Sequence, residues 1–287
     1  MIALPRYFGE YQARVSTEIE RLVPRDGDQV RRSMAYTALA PSKQVRAVLT
    51  LLAAELCGGT AARAVPVAAA IELVHAASLI LDDLPAMDDA PLRRGRPSNH
   101  REFGEAVAIL AAFGLLNLAY GSLARGYDAG LSSRLTDLLS DSIGPDGLIG
   151  GQALDLLATD QQVTFEMLER IHRGKTGALF VAAATAGALT AGAAAEPVAA
   201  LAAYAKNLGL AFQIVDDLLD VEGNPTETGK AVRADARKTT FVSFSGVEGA
   251  RQLAAELCQT ADRALTPFGA RADRLRELSA FVAARRL

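Results

Sequence analysis

The sequence predicts an all-α, single-domain protein, and three observations carry that expectation. Apolar residues recur at helical spacing in long runs. Half of the 287 residues are hydrophobic but only 6% are aromatic, so the interior must be built mainly from Ala, Leu and Val. Ala and Leu are strong helix formers. No segment shows the apolar/polar alternation of a half-buried strand. The length suits one large helical domain, with enough chain to bury a core and enclose a cavity. No repeat or linker interrupts it, so residues 1–287 read as one domain.

The helices follow from the periodic runs and their punctuation. Residues 45–57 form one, stopped by Gly58-Gly59, and residues 67–83 form another, opened by Pro66. Residues 103–123, 165–172, 177–189, 199–221 and 249–266 follow. The breaks are Gly144-Pro145-Asp146-Gly147, Glu196-Pro197 and Gly223-Asn224-Pro225. Residues 176–195 carry no charge, but they are rich in Ala, Gly and Thr rather than Leu and Ile. That composition favours a buried helix of a soluble protein over a stable membrane insertion.

The formal net charge is −3. The basic excess of a nucleic-acid-binding protein is missing. An acidic chain can still hold polyanionic diphosphates where metal ions and local cations bridge the repulsion. Cys57 and Cys258 have no motif around them, which points to a reducing, cytoplasmic setting rather than a disulfide framework. Arg6, Glu10 and Arg14 interrupt the N-terminus, so it has no signal-peptide core.

Two aspartate clusters stand out. The first, Asp82-Asp83-Leu84-Pro85-Ala86-Met87-Asp88-Asp89, ends an apolar helix. Carboxylates this close repel unless cations neutralise them, and hard oxygen ligands suit Mg²⁺. At about 100° per residue, Asp82 and Asp88 would not share a helix face. Pro85 resolves this: it disfavours helix at Leu84 and cannot continue the ladder, so the chain turns back towards Asp82. An acidic surface loop is the plainer alternative. The second cluster, Gln213-Ile214-Val215-Asp216-Asp217-Leu218-Leu219-Asp220, places Asp216 and Asp220 one turn apart on one face, with Gln213 a turn earlier. Like charges at that spacing destabilise a helix by a few tenths of a kcal/mol, about 0.2–0.5. A bound cation is the simplest reason to keep them, and a solvated helix end is the alternative.

Cations accompany both clusters. Arg93-Arg94-Gly95-Arg96-Pro97 follows the first, and arginines suit bidentate phosphate binding or simple pairing with the carboxylates. Lys43 and Arg46 head the helix over residues 45–57. Lys175-Thr176 reads as a helix start, where backbone N–H groups favour anions. Lys230 and Lys238 flank Asp235 after the second cluster, and His75 lies two turns before Asp82 on the same face.

Together these motifs resemble the trans-isoprenyl diphosphate synthases, or polyprenyl synthetases. The likeness runs over residues 43–242, in family order. It implies a helical bundle around a deep central cavity, as a homodimer, which condenses isopentenyl diphosphate with dimethylallyl, geranyl or farnesyl diphosphate and releases diphosphate. The resemblance implies Asp82, Asp88 and Asp216 as ligands of Mg²⁺, three ions with substrate bound, supported by Asp83, Asp217 and Asp220. Arg93, Lys175, Thr176, Gln213 and Lys230 match positions that bind the allylic diphosphate or face its reacting carbon. Lys43, Arg46, His75 and Arg94 match the isopentenyl diphosphate site, and Lys238 a lysine that helps close the active site.

The sequence departs from the family where the usual Gly-Gly-Lys-Arg-x-Arg-Pro reads Pro41-Ser42-Lys43-Gln44-Val45-Arg46-Ala47. Lys43 and Arg46 remain, so binding is expected to survive. The compact segment after the second cluster looks like that of bacterial geranylgeranyl diphosphate synthases of the carotenoid-pathway type, and the spacing within the first cluster is similar to that branch and to bacterial farnesyl diphosphate synthases. Ala77 and Ser78, just before Asp82, match the positions that set product length. Farnesyl-forming relatives usually carry an aromatic where Ala77 stands, so a C20 product is expected, with a C15 or a longer product as the alternative, since neighbouring helices also shape the floor. A terpene cyclase would normally mix Asn/Asp, Ser/Thr and Glu in the second motif, and a non-catalytic regulatory subunit would usually lack one or both Asp motifs.

Overall fold

A computed structural model describes residues 6–23, 25–222 and 238–284. Lys230, Asp235 and the rest of 223–237 lie outside the described residues. The chain forms helices α1 (Arg6–Leu22), α2 (Gln29–Ala38), α3 (Val45–Leu56), α4 (Ala61–Asp82), α5 (Asn99–Phe103), α6 (Glu105–Gly126), α7 (Ala129–Ile143), α8 (Leu148–Ala158) and α9 (Phe165–His172). A π-helical turn (Arg173–Gly177) leads into α10 (Ala178–Thr190). Then come α11 (Ala195–Glu222), α12 (Phe241–Ala264), a 3₁₀ turn (Thr266–Ala272) and α13 (Asp273–Ala283). The strand content among the described residues is one two-residue pair, β1 (Leu92–Arg93) with β2 (Arg96–Pro97), joined through Arg94 and Gly95 at φ 55° and 72°. Positive φ at both turn residues matches the twist of a tight hairpin.

Helix α10 is the central member. It packs against α3, α4, α7 and α11, and nearly its whole length is buried. Its small side chains permit that. Gly187 lies against α3 so closely that a Cβ there would sit 2.2 Å from the Thr50 carbonyl oxygen. Helices α4 and α6 meet through alanines, among them Ala108, Ala111, Ala112 and Ala119 of α6, all buried. At 13 residues, α10 spans only about 20 Å. The uncharged stretch 176–195 is therefore divided among the π turn, α10, the turn after it and the first residue of α11. Among the described residues, three other helices, α4, α6 and α11, are long and apolar enough to cross a membrane by length and composition.

Several helix boundaries differ from the sequence expectation, each for a local reason. Helix α4 begins at Ala61, capped by the Thr60 hydroxyl, with Pro66 inside it rather than opening it. The Tyr127 hydroxyl repairs the ladder there, accepting the Val67 N–H at 3.1 Å and donating to the Arg63 carbonyl at 2.9 Å. Helix α11 begins at Ala195, because Pro197 lies in the first turn, where an N–H would have no partner. Gly104, at φ 84°, divides the run over 103–123 into α5 and α6. Helix α12 starts at Phe241 behind a capping box of Thr240 and Ser243, and its kink at Gly246 hides that start from a periodicity reading.

Replacing Gly187 with Ala should lower stability despite the gain in helix propensity. Forcing α3 and α10 apart costs about 1–3 kcal/mol, against a gain of roughly 0.5–1 kcal/mol. A lower thermal unfolding midpoint by circular dichroism is the expected outcome.

Candidate active site

Helix α4 ends at Asp82, and Pro85 helps turn the chain back, so that the Asp88 N–H donates to the Asp82 carbonyl at 3.0 Å. Both carboxylates of the first motif therefore lie at one turn. Each receives a lysine from elsewhere in the chain: Lys175 Nζ lies 3.2 Å from Asp82, and Lys238 Nζ lies 2.8 Å from Asp88. Both lysines also meet Asp155 of α8, at 2.7 and 2.9 Å. Gln152, one turn before Asp155, donates to Asp82 at 2.8 Å. Asp83 is turned inward and buried. It accepts Arg93 Nε at 2.9 and 3.1 Å, one contact to each oxygen, and binds Arg93 Nη2 as well. The tight β1–β2 hairpin places Arg93 there.

The second motif joins this network through the π turn. Thr176, next to Lys175, donates to Gln213 Oε1 at 2.8 Å, and Gln213 Nε2 donates to Asp217 at 2.9 Å. Asp217 is buried, and its other oxygen accepts the Phe241 N–H at 3.0 Å, tying α11 to the start of α12. Asp216 lies on α11 one residue before, half-buried, and its charge acts on Arg46. Asp220 is one turn further on and half-buried. The two Asp clusters thus meet across Lys175 and Thr176.

One expectation changes here. Lys175 and Thr176 are not at a helix start. They sit within a helical run that is continuous from α9 through the π turn into α10. Side chains, rather than open backbone N–H groups, must meet any anion at this point. The π turn packs on α8 glycine against glycine: a Cβ on Gly151 would lie 2.1 Å from the Lys175 nitrogen. Wide turns of this kind are frequent at functional sites.

Arg46, Arg93 and Arg94 surround His75 closely enough to act on its charge. Arg46 is buried, its guanidinium lies 4.6 Å from the centroid of the Phe180 ring, and its Nε has no hydrogen-bond partner among the described residues. Lys43 stands just ahead of α3, exposed, its carbonyl held by Gln12 of α1 at 2.9 Å. Burial, with Arg46, Arg94 and Arg93 nearby, holds the His75 imidazole well below its ordinary pKa. Ser78 lies one turn before Asp82 and half-buried, donating to the His75 carbonyl at 2.8 Å, whereas Ala77 is 1% exposed. Sequence reasoning missed Gln152, Asp155, Glu72 and His172. Gln152 and Asp155 were findable as polar residues three apart on an apolar helix, and Glu72 as a carboxylate inside an apolar run.

Among the described residues, no three His, Cys, Asp or Glu side chains form a protein-only metal cage. Mg²⁺ is usually held by one or two carboxylates together with waters and substrate phosphates. The hard oxygens of Asp82 and Asp88, each already drawing an ammonium group, fit that mode of binding.

A helical bundle with two Asp clusters brought together beside lysines and arginines defines a class of enzyme that handles diphosphates. The polyprenyl synthetase profile matches residues 28–264, and the chain belongs to that family of trans-prenyltransferases. It is similar to a farnesyl diphosphate synthase of Geobacillus stearothermophilus, 39% identical over 272 residues and covering 92% of each chain. It is also similar to a mitochondrial geranylgeranyl pyrophosphate synthase of Arabidopsis thaliana, 40% identical over 251 residues, 84% of this chain and 75% of that one. An FPP/GFPP synthase from Zymomonas mobilis superposes with a TM-score of 0.86 at 33% identity, over 97% of this chain and 98% of that one.

Burial pushes His172 down to about 4, with Asp155 opposing the effect and Lys175 and Lys238 adding to it; the ring Nδ1 has no partner among the described residues. A histidine that is neutral in the fold and protonates near 6.5 when unfolded stabilises above that pH. Its contribution is lost as pH falls from about 6.5 to 4, by up to about 3 kcal/mol. Unfolding by urea at pH 7.5 and pH 5 should show a smaller loss in His172→Gln than in the unmodified chain.

Proposed function

We propose that this enzyme condenses isopentenyl diphosphate with allylic diphosphates to give all-trans geranylgeranyl diphosphate in the presence of Mg²⁺. The observation that carries the reading is the convergence of Asp82, Asp88, Lys175 and Lys238 beside the Thr176–Gln213 pair. Asp82, Asp88 and Asp216 would hold the magnesium ions, which supply Lewis-acid stabilisation of the leaving diphosphate. Arg93, Lys175 and Lys230, the last outside the described residues, add positive charge to the same group, where charge develops as the allylic C–O bond breaks, and Lys238 helps close the site. Thr176 and Gln213, held to each other, present oxygen lone pairs towards the cationic carbon. The double bond of isopentenyl diphosphate then forms the new C–C bond, and the proton lost from it passes to the released diphosphate. Asp83 and Asp217 act here by holding Arg93 and Gln213.

The small side chain of Ala77 supports the C20 product. Relatives named for C15 and C20 products match this chain almost equally, so overall likeness does not decide the length. Incubation with Mg²⁺, isopentenyl diphosphate and each primer in turn should give a C20 product by chromatography. Chelation should abolish it and added Mg²⁺ restore it. Ala77→Phe should shorten the product, and an unchanged length would overturn the assignment of Ala77. A product formed from a primer alone would indicate a cyclase, and inactivity in every mixture a regulatory subunit.

The exposed apolar side chains of α6, Ile109, Leu110 and Phe113, support a homodimer. Phe113 is 66% exposed, and patches of this kind mark contact surfaces. Phe113→Arg should shift the mass by light scattering from dimer to monomer at micromolar concentration.

A further inference from the structure

Phe180 has no part in the roles assigned above. It is the one aromatic residue of α10, a helix otherwise built from small and aliphatic side chains. Its side chain is fully buried. A Cβ on Gly209 of α11 would lie 3.1 Å from the Phe180 Cβ, so that glycine makes room for the ring. The Phe212 ring lies beside it, with centroids 5.3 Å apart and planes inclined at 48°. Phe212 immediately precedes Gln213, so the aromatic pair joins α10 to the start of the second Asp motif.

The ring also meets a cation. The Arg46 guanidinium of α3 lies over it, 4.6 Å from the centroid. That is inside the roughly 6 Å at which the negative face of an aromatic ring attracts a cation. Arg46 is 8% exposed, and a charge so buried is costly unless something offsets it. A carboxylate would offset it but would also occupy its donors. Arg93 shows that case, since its Nε and Nη2 are both taken up by Asp83. Among the described residues the Arg46 guanidinium forms no ion pair or hydrogen bond. A ring face steadies the cation and leaves its N–H donors unspent, and a guanidinium with unspent donors suits bidentate binding of a phosphate.

We infer that Phe180 is a positioning residue for the isopentenyl diphosphate site, holding the Arg46 guanidinium on its ring face so that the donors of that arginine stay free for the diphosphate. This rests on the reading that Arg46 receives that diphosphate. An arginine already held in place loses less side-chain freedom when its ligand arrives. Binding then depends on the electron density of the ring as well as on its bulk.

Fluorine draws density from the face of a ring with little change in shape, so fluorinated phenylalanines placed at position 180 test this directly. In steady-state kinetics with each substrate varied, 3,4,5-trifluorophenylalanine should raise the KM for isopentenyl diphosphate about fivefold and 4-fluorophenylalanine about twofold, with the allylic KM within twofold throughout. Phe180→Leu keeps an apolar side chain without a ring and should raise the isopentenyl diphosphate KM about tenfold. If that variant does not fold, the fluorinated pair decides alone. A ring that acts only by filling space gives no graded response to fluorine. An unchanged or lower KM for isopentenyl diphosphate with the trifluorinated ring, or an equal rise in both KM values, overturns the inference. Arg46→Gln, measured in parallel, separates the two levels. If it leaves the isopentenyl diphosphate KM unchanged, the site reading fails and the inference with it. If it raises that KM while the trifluorinated ring does not, the role of Phe180 alone fails.

Discussion

The structure depends on one electrostatic constraint: carboxylates withdrawn from water must be met by opposite charge. Removing one partner of a buried ion pair typically costs about 3–5 kcal/mol, because the other is left uncompensated. Asp155 meets the constraint for two lysines at once, at 2.7 and 2.9 Å. Those lysines in turn reach Asp82 and Asp88. The result is an alternating chain of charges across α4, α8, the π turn and the segment leading into α12. No member is left bare, and the lysine ends remain near the surface of the site. In the function proposed above, a polyanionic substrate would exchange for these contacts, because the charges are already arranged in alternation.

Packing of small residues makes that arrangement reachable. The Lys175 backbone can approach α8 only because Gly151 and Gly174 lack side chains, and α10 can sit at the centre only because Gly187 meets Thr50 without a Cβ. Close backbone approach fixes the direction of side chains more firmly than long apolar contacts would, since the interior is densely packed and shifts little. The low aromatic content and the abundance of alanine therefore bear on the site as well as on the core. They bring helix axes close enough for charges on four different elements to meet.

The all-α class and the main motifs were legible in the sequence because helical period and Asp spacing are local properties. Asp82 and Asp88 could be brought together on paper from Pro85 alone. Helices such as α1, α7 and α8 were not read, since exposed residues interrupt their patterns and their stability comes from tertiary contacts. The start of α4 escaped because the Tyr127 hydroxyl, 61 positions from Pro66, fills the gap that proline leaves. The position of Lys175 was misread for a related reason: His172-Arg173-Gly174 looks like a break, but a π turn carries the helix through it. Asp155 and Glu72 are lone acids in apolar runs. Their partners lie 20 or more residues away in the chain, so the local pattern marks them as unusual but does not say what they meet.

The same distinction explains why relatives with different product names match this chain almost equally. Identity over 250 or more residues reports the bundle, the two Asp motifs and the charges around them, which any enzyme of this chemistry needs. In the function proposed above, product length turns on a single side chain, Ala77, and one residue leaves overall identity almost untouched. Departures from the family pattern are similarly diluted, yet Gln44 and Ala47 each acquire a defined hydrogen bond, to Ser16 and Glu72. The family pattern fixes which charges must be present. In this chain the two bonds flank Arg46, so a departure from the pattern is taken up by contacts that the sequence alone does not display.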